Sequence, residues 1–341
     1  MSMFWNIKRT LSYNCLFNFI IGQRGVGKTY GSLKWVIERY LKKEKIGETH
    51  QFLYLRRMKV ELEKLTTMRG GRLFNAVQKE FPDHVLKAES NTLYCDDKII
   101  GYAQPLSTAS VLKSDAMPNV DVIIFDEFII DNAGVYHYLK DEVTKFFDLY
   151  ETVARGRDVL VFFLSNAVTI TNPYFDFFHL DKPYNGDIQR FGNSKDILVE
   201  FTHNPDLSEY KKNTRFGKII KNTDYSDYAY DNKWLLDNTD FIEKKNQRCY
   251  YFVTLRYKNN WLGVWCDPVQ WLFYISNDVD LQFPHMYSIT TDDHKPNVML
   301  FKQGKKLPIL KKLIDAYECG AVRYETMKLK NWFRDIMRMC Y

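Results

Sequence analysis

The sequence predicts a parallel α/β domain followed by a smaller α+β domain, and three observations carry that expectation. Residues 16–21, 120–125 and 159–164 are short, nearly continuous apolar runs of strand length, as in strands buried on both faces. Trp35, Val36, Ile37, Tyr40 and Leu41 recur at helical spacing just after the first run. From residue 241 onward, aromatic and β-branched runs alternate with turn residues, an antiparallel pattern.

The first strand leads into Gly22-Gln23-Arg24-Gly25-Val26-Gly27-Lys28-Thr29, which reads G-x-x-x-x-G-K-T. Strand before and helix after are the context a phosphate-binding loop requires. Its glycines let backbone N–H groups turn inward at the positive end of a helix. Lys28 is then expected to reach the β- and γ-phosphates of a nucleotide, and Thr29 to offer its hydroxyl to Mg²⁺. The predicted fold is accordingly that of a P-loop NTPase.

The second strand, residues 51–57, ends in Arg56-Arg57, which with Lys59 face either nucleotide or a polyanion at the strand's carboxyl end, or else solvent. Helices follow over 60–65 and 73–81, the latter stopped by Pro82, and then a small hairpin over 92–95 and 98–102 turning at Asp96-Asp97. The run 120–128 closes on Asp126-Glu127, an acidic pair at a buried strand's end, about a hundred residues after the loop. Asp126 suits the Mg²⁺ shell, and Glu127 suits the polarisation of an attacking water.

Residues 142–154 form an amphipathic helix ending in Arg155-Gly156-Arg157. Arg155 is the better candidate for an arginine finger acting on a neighbouring subunit; a plain helix end with favourable positive charge is the other reading. Strand 158–167 places Ser165 and Asn166 where a polar sensor meets the γ-phosphate, and 197–201 gives a fifth core strand. This set of strands describes an additional-strand (ASCE) ATPase of the RecA, FtsK and terminase kind. No guanine-recognition N-K-x-D is visible, so ATP is the expected nucleotide.

The P-loop domain is assigned to residues 1–206. Residues 207–236, rich in Lys, Tyr, Asp and Asn, read as a linker or small lid. The remainder, 237–341, is compatible with an RNase H-like unit: three meandering strands, a fourth at 286–290, helices over 307–319 and from about 324. Asp267, Asp278, Asp280, Asp292 and Asp293 lie at turns and strand ends, none in the middle of the first strand, so a non-cutting, vestigial domain is expected.

A length of 341 residues suits two domains, and the 45% apolar and 16% aromatic content suits packed interiors. The formal charge is +6. Residues 301–341 hold ten Lys/Arg against four Asp/Glu, which accounts for the whole excess and points to a polyanionic partner or a solvated helix face. The cysteines at 15, 95, 249, 266, 319 and 340 show no zinc spacing and read as reduced thiols. No run is long enough to span a bilayer and no secretory pattern opens the chain, so no membrane role is expected.

Taken together, these motifs resemble the DNA packaging ATPases of phi29-like phages nearly end to end. The likeness includes the loop at 22–29, Tyr54-Leu55-Arg56-Arg57, Glu80-Phe81-Pro82-Asp83-His84, Phe125-Asp126-Glu127-Phe128, Leu164-Ser165-Asn166-Ala167-Val168, Asn172-Pro173-Tyr174-Phe175, Thr214-Arg215-Phe216-Gly217 and Thr290-Thr291-Asp292-Asp293. The resemblance implies a homopentameric ring on the portal of a procapsid, in the host cytoplasm and absent from the mature virion. There it drives double-stranded DNA inward with ATP and Mg²⁺, in this group with a structural packaging RNA as collar. It also implies Lys28 and Thr29 as the Walker A pair, Asp126 and Glu127 as the Walker B pair, Arg155 as the finger, and Lys113 as a second basic residue at the subunit interface. Another ring DNA translocase or helicase of the same class, and an RNA-binding adaptor with a vestigial loop, are the competing readings.

Overall fold

Side-chain alternation along buried strands sorts the apolar residues onto two faces, and that sorting builds the first half of the molecule. The computed structural model describes residues 5–66, 71–109, 117–130, 137–180, 188–231 and 240–340. Its contacts divide the chain into two units, Met1–Leu236 and Asp237–Tyr341.

In chain order the first unit contains α1 (Ile7–Leu11), β1 (Phe17–Gly22), α2 (Lys28–Glu44), β2 (Gln51–Arg56), α3 (Lys59–Thr66), β3 (Leu86–Glu89), β4 (Thr92–Cys95), β5 (Lys98–Pro105), β6 (Val120–Asp126) and α4 (Glu142–Ala154). It continues with β7 (Leu160–Asn166), α5 (Pro173–Phe178), β8 (Ile188–Phe191), β9 (Ile197–Thr202), α6 (Pro205–Asn213), α7 (Arg215–Ile219) and α8 (Asp224–Asp231). The strands make one mixed sheet in the order β3-β4-β5-β2-β6-β7-β1-β9-β8. β1 lies parallel between β7 and β9, with Gly22 opposite Asn166 and Thr202. β7 lies parallel to β6, with Asp126 opposite Leu164. One strand therefore separates the loop-bearing strand from the strand that ends in the acidic pair, as the additional-strand reading requires.

In β6, Val122 and Ile124 pack with Ile20, Phe162 and Leu164 against Val36 and Ile37 of α2. Ile123 and Phe125 point the other way, joining Phe19, Phe163 and the α4 residues Phe146, Leu149 and Val153. Phe19 stacks on Phe163 with ring centroids 4.2 Å apart. Each side chain buried in this way contributes roughly 1.5–3 kcal/mol, which holds both helix layers on the sheet.

In the first unit two stretches differ from the sequence reading, and a third, the hairpin, forms where expected. Residues 73–81 form turns ending in a single 3₁₀ turn, Gln78–Glu80, instead of a helix. Leu73, Phe74, Val77 and Phe81 are buried at the expected spacing. The run before Pro82 is nevertheless too short to propagate a helix, and tighter bonds such as Val77 N–H to Phe74 O at 3.0 Å take over. The hairpin at Asp96-Asp97 forms with both residues left-handed, φ 49° and 63°, the geometry of a two-residue turn. It extends the main sheet, because β5 also pairs in parallel with β2 and β3 adds outside β4.

The second difference is the segment 207–236, whose described residues lie in and between helices α6 to α8 and not in an open linker. Asn204 caps α6 by accepting from Leu207 N–H at 3.0 Å, and Thr214 caps α7 by accepting from Gly217 N–H at 3.0 Å. Tyr228, Ala229 and Tyr230 are buried in the core of the first unit. Tyr228 and Tyr230 thus serve as core residues, while Tyr210 and Tyr225 are exposed.

The second unit comprises β10 (Tyr250–Tyr257), β11 (Asn260–Cys266), β12 (Phe273–Ser276), β13 (Met286–Ser288), β14 (Met299–Leu300), α9 (Phe301–Gly304), α10 (Pro308–Glu318), β15 (Val322–Tyr324) and α11 (Met327–Cys340). Its sheet runs β14-β13-β10-β11-β12-β15. β10 to β12 form an antiparallel meander, while β13 and β15 join its two sides in parallel. Val253, Leu255, Val264 and Ile275 meet Leu310 and Leu313 of α10 and Trp332, Phe333 and Ile336 of α11. The last helix begins later than the sequence suggests because residues 322–324 are taken into the sheet. Among the described residues no helix is long and apolar enough to cross a membrane, and the described cysteines 15, 95, 249, 266 and 319 are free.

Candidate active site

The carboxyl ends of β1, β6 and β7 bring Lys28, Thr29, Asp126 and Asn166 together. Gly22 adopts φ 139°, and a Cβ there would stand 2.1 Å from Thr202 O, so only glycine lets the chain leave the strand here. Gly27, at φ 86°, ends the loop as the N-cap of α2 with no side-chain cap. The first N–H groups of that helix are therefore left for a ligand.

Lys28 is buried and folds back over the loop, donating to Gln23 O at 2.9 Å, Gly22 O at 3.1 Å and Asn166 Oδ1 at 3.3 Å. Burial drags its pKa down to about 7, against the opposing pull of Asp126 and with a further push down from Lys211. Asn166 thereby stands at the loop, whereas Ser165 is buried beside it.

Thr29 Oγ1 lies 3.1 Å from both carboxylate oxygens of Asp126. Tyr54 donates its hydroxyl to Asp126 Oδ2 at 2.7 Å. Burial, reinforced by Asp126, pushes that phenol well above its usual pKa, so it remains a donor. Glu127 follows in a left-handed conformation, φ 58°. Its side chain is 57% exposed, and its Oε2 is 2.5 Å from Arg56 Nη1.

The two consecutive arginines part company because neighbours on a strand face opposite ways. Arg56 bridges the acids, with Nη2 3.1 Å from Asp126 Oδ2. Arg57 goes to the other face, donating to Glu142 Oε2 at 2.8 Å, to Glu142 Oε1 at 3.0 Å and to Glu127 O at 3.2 Å. Tyr174 adds a hydrogen bond to Glu142 at 3.1 Å. Neither arginine lies in solvent; Lys59 does, its ammonium 3.5 Å from the Glu63 carboxylate.

Gln23 and Arg24 present backbone to the loop while their side chains diverge. Gln23 is fully buried, donating to Ser208 Oγ at 2.9 Å and Tyr230 O at 3.3 Å and accepting from Asn204 N–H at 3.1 Å. Val26 is buried too, its carbonyl taking the Trp5 N–H at 2.9 Å. Arg24 and Gly25 are exposed at the loop's tip.

Arg155 ends α4 in a left-handed conformation, φ 46°. It is exposed, and its guanidinium makes no hydrogen bond or ion pair among the described residues. It enters β7 from the end opposite Asn166, so the seven residues of that strand, roughly 20 Å, separate it from its own Lys28. Arg157 is occupied locally, donating to Val153 O at 2.8 Å, Ala154 O at 3.1 Å and Met117 O at 3.2 Å. Lys113 lies outside the described residues.

Sequence spacing gave no sign of one further cluster. His84, Cys95 and Asp96 bring donor atoms within 4.8 Å of one another. There His84 Nδ1 sits 2.6 Å from Asp96 Oδ2, and burial lifts the Cys95 thiol to about 11, which keeps it protonated.

A family model described as the podovirus DNA encapsidation protein (Gp16) matches residues 1–340. The DNA packaging protein of Bacillus phage phi29 is 38% identical over 338 residues, covering 99% of this chain and 98% of its own. A chain of the bacteriophage Phi-29 viral genome packaging motor assembly superposes with a TM-score of 0.79 at 36% identity, each chain covered in full. The crystallised N-terminal domain of the phi29 DNA packaging ATPase superposes with a TM-score of 0.53 at 40% identity, covering 60% of this chain and 98% of that domain.

Proposed function

This chain belongs to the podovirus DNA encapsidation protein family, and on that premise we propose that it is the ATP-driven motor that moves double-stranded viral DNA into a preformed procapsid. The observation carrying this reading is the convergence of Lys28, Thr29, Asp126 and Asn166 at adjacent strand ends within a chain that matches the family throughout. The loop and the α2 N-terminus bind the triphosphate, and Lys28 exchanges its carbonyl acceptors for phosphate oxygens. Asp126 and Thr29 offer hard oxygen donors, the set Mg²⁺ prefers. When bound, that ion supplies charge neutralisation between the phosphates. Glu127 orients and polarises the attacking water, and Asn166 senses the γ-phosphate.

Arg155 completes the site of a neighbouring subunit. Its place ahead of β7, at the end of that strand opposite Asn166, supports this, since it lies too far from its own Lys28 to reach it. The reading brings with it a homomeric ring, five-fold as in the resemblance, docked on the portal in the host cytoplasm, with a packaging RNA as a further partner. For the second unit we favour a vestigial RNase H-like domain that binds without cutting. The meander β10 to β12, continued in parallel beside β10, supports the architecture. Two of its acids hold turns: Asp267 accepts from Asn246 at 2.7 Å and from Val269 N–H at 2.8 Å, and Asp293 accepts from Asn259 N–H at 2.8 Å.

The decisive test is packaging. Procapsids supplied with the purified chain and ATP are expected to protect genomic DNA from nuclease, and a Lys28→Ala preparation to protect none. Full heads with that variant overturn the reading.

A pH dependence follows from the burial of Lys28. Phosphate oxygens favour the ammonium, so a lysine that is half neutral near pH 7 must collect a proton as nucleotide binds. Affinity for Mg-ATP is therefore expected to weaken as pH rises above 7. Calorimetry at pH 8, in two buffers of different ionisation heat, should show uptake approaching one proton. Heats independent of buffer contradict it.

A further inference from the structure

Three cations gather at the loop. Arg24 belongs to it, Lys28 closes it, and Lys211 comes from α6, a helix the nucleotide reading does not use. Lys211 Nζ donates to the backbone carbonyl of Arg24. A Cβ built on Gly25 would stand 3.0 Å from that nitrogen, so the ammonium rests directly on the loop's exposed tip. No carboxylate pairs with Lys211 among the described residues, and burial, followed by the charge of Arg24, lowers its pKa. Its charge also weighs on Lys28, which places it within electrostatic range of the phosphate cradle.

The helix is held in register by the loop itself. The fully buried Gln23 joins Ser208 of α6 and the Tyr230 carbonyl of α8, and Ser208 also donates to that carbonyl. A positive group with only a neutral carbonyl for a partner, half-buried among other cations, is poorly compensated. An anion at the loop removes that deficit.

We propose that Lys211 is a second nucleotide-binding cation acting in the same chain, moving from the Arg24 carbonyl to the polyphosphate of bound nucleotide and so tying α6 to the filled site. The proposal rests on the nucleotide reading above and adds a residue to it. Two consequences separate it from simple docking of a helix. The charge must matter more than the aliphatic stem, and the contribution must be screened by salt.

The experiment uses the full chain, with Mg²⁺-ATPγS and ADP titrated calorimetrically into the parent, Lys211→Gln, Lys211→Met and Lys211→Arg at two salt concentrations. A lost charge-assisted hydrogen bond corresponds to about a tenfold drop in affinity. That drop is expected in both neutral variants, with Arg recovering most of it and the parent showing the steeper salt dependence. Melting curves establish that the variants are folded, and the two neutral side chains differ enough that one can stand in for the other. Neutral variants that bind ATPγS and ADP within twofold of the parent overturn the proposal and leave the nucleotide site standing. A parent chain that binds neither nucleotide while melting cooperatively overturns the nucleotide reading, and this residue assignment with it.

Discussion

Glu127→Gln is expected to cut ATP hydrolysis by about 10²- to 10⁴-fold, the usual contribution of a positioned general base, while leaving ATP binding nearly intact. The change keeps the size and backbone of the residue and removes only the charge. The carboxylate is largely exposed, held by Arg56 and not packed in the core, so the fold should tolerate its loss. The groups expected to grip phosphate, Lys28 and the loop backbone, do not contact it. Single-turnover phosphate release alongside nucleotide binding checks both halves, and a variant that turns over within tenfold of the parent removes Glu127 from the chemistry.

Arg155→Ala should be as severe in the assembled motor, because an arginine supplied to a transition state contributes about 10³- to 10⁵-fold. The location of the residue makes the result diagnostic of how it acts. A finger serving its own chain could not be rescued. One serving a neighbour can be: mixing Arg155→Ala with Lys28→Ala chains creates some interfaces with an intact loop on one side and an intact arginine on the other. Steady-state ATPase of the mixture, measured on assembled motors, should exceed that of either variant alone. Failure to exceed it contradicts action between subunits.

Much of this was legible in the sequence because it depends on short-range chemistry. The loop at 22–29 declares itself by its glycines and lysine, and β6 by an apolar run that only a strand covered on both faces can bury. α4 occupies the predicted residues, 142–154, because its periodicity is unbroken. What stayed hidden depends on partners far away in the chain. Gln23 looks like an interchangeable loop residue until α6 and α8 arrive, 185 and 207 residues on, to receive its amide. The segment 207–231 reads as polar because its apolar side chains are scattered among Lys, Asp, Asn and Tyr, although Asn204-Pro205 and Thr214 are helix-start signals that could have been weighed. The separate fates of Arg56 and Arg57 follow from strand alternation alone, but their acidic partners do not.

The left-handed backbone at Glu127 costs on the order of 1 kcal/mol for a residue carrying a Cβ. What keeps it bent is next door. Phe128 is wholly inaccessible, wedged among Phe19, Phe163 and Phe175. The aim of the acidic group is thus inherited from a greasy peg several ångströms away, and the accuracy of the reaction is a property of the interior. Trimming that peg should blunt turnover without altering a single polar atom, much as a loosened mount spoils a sound lens.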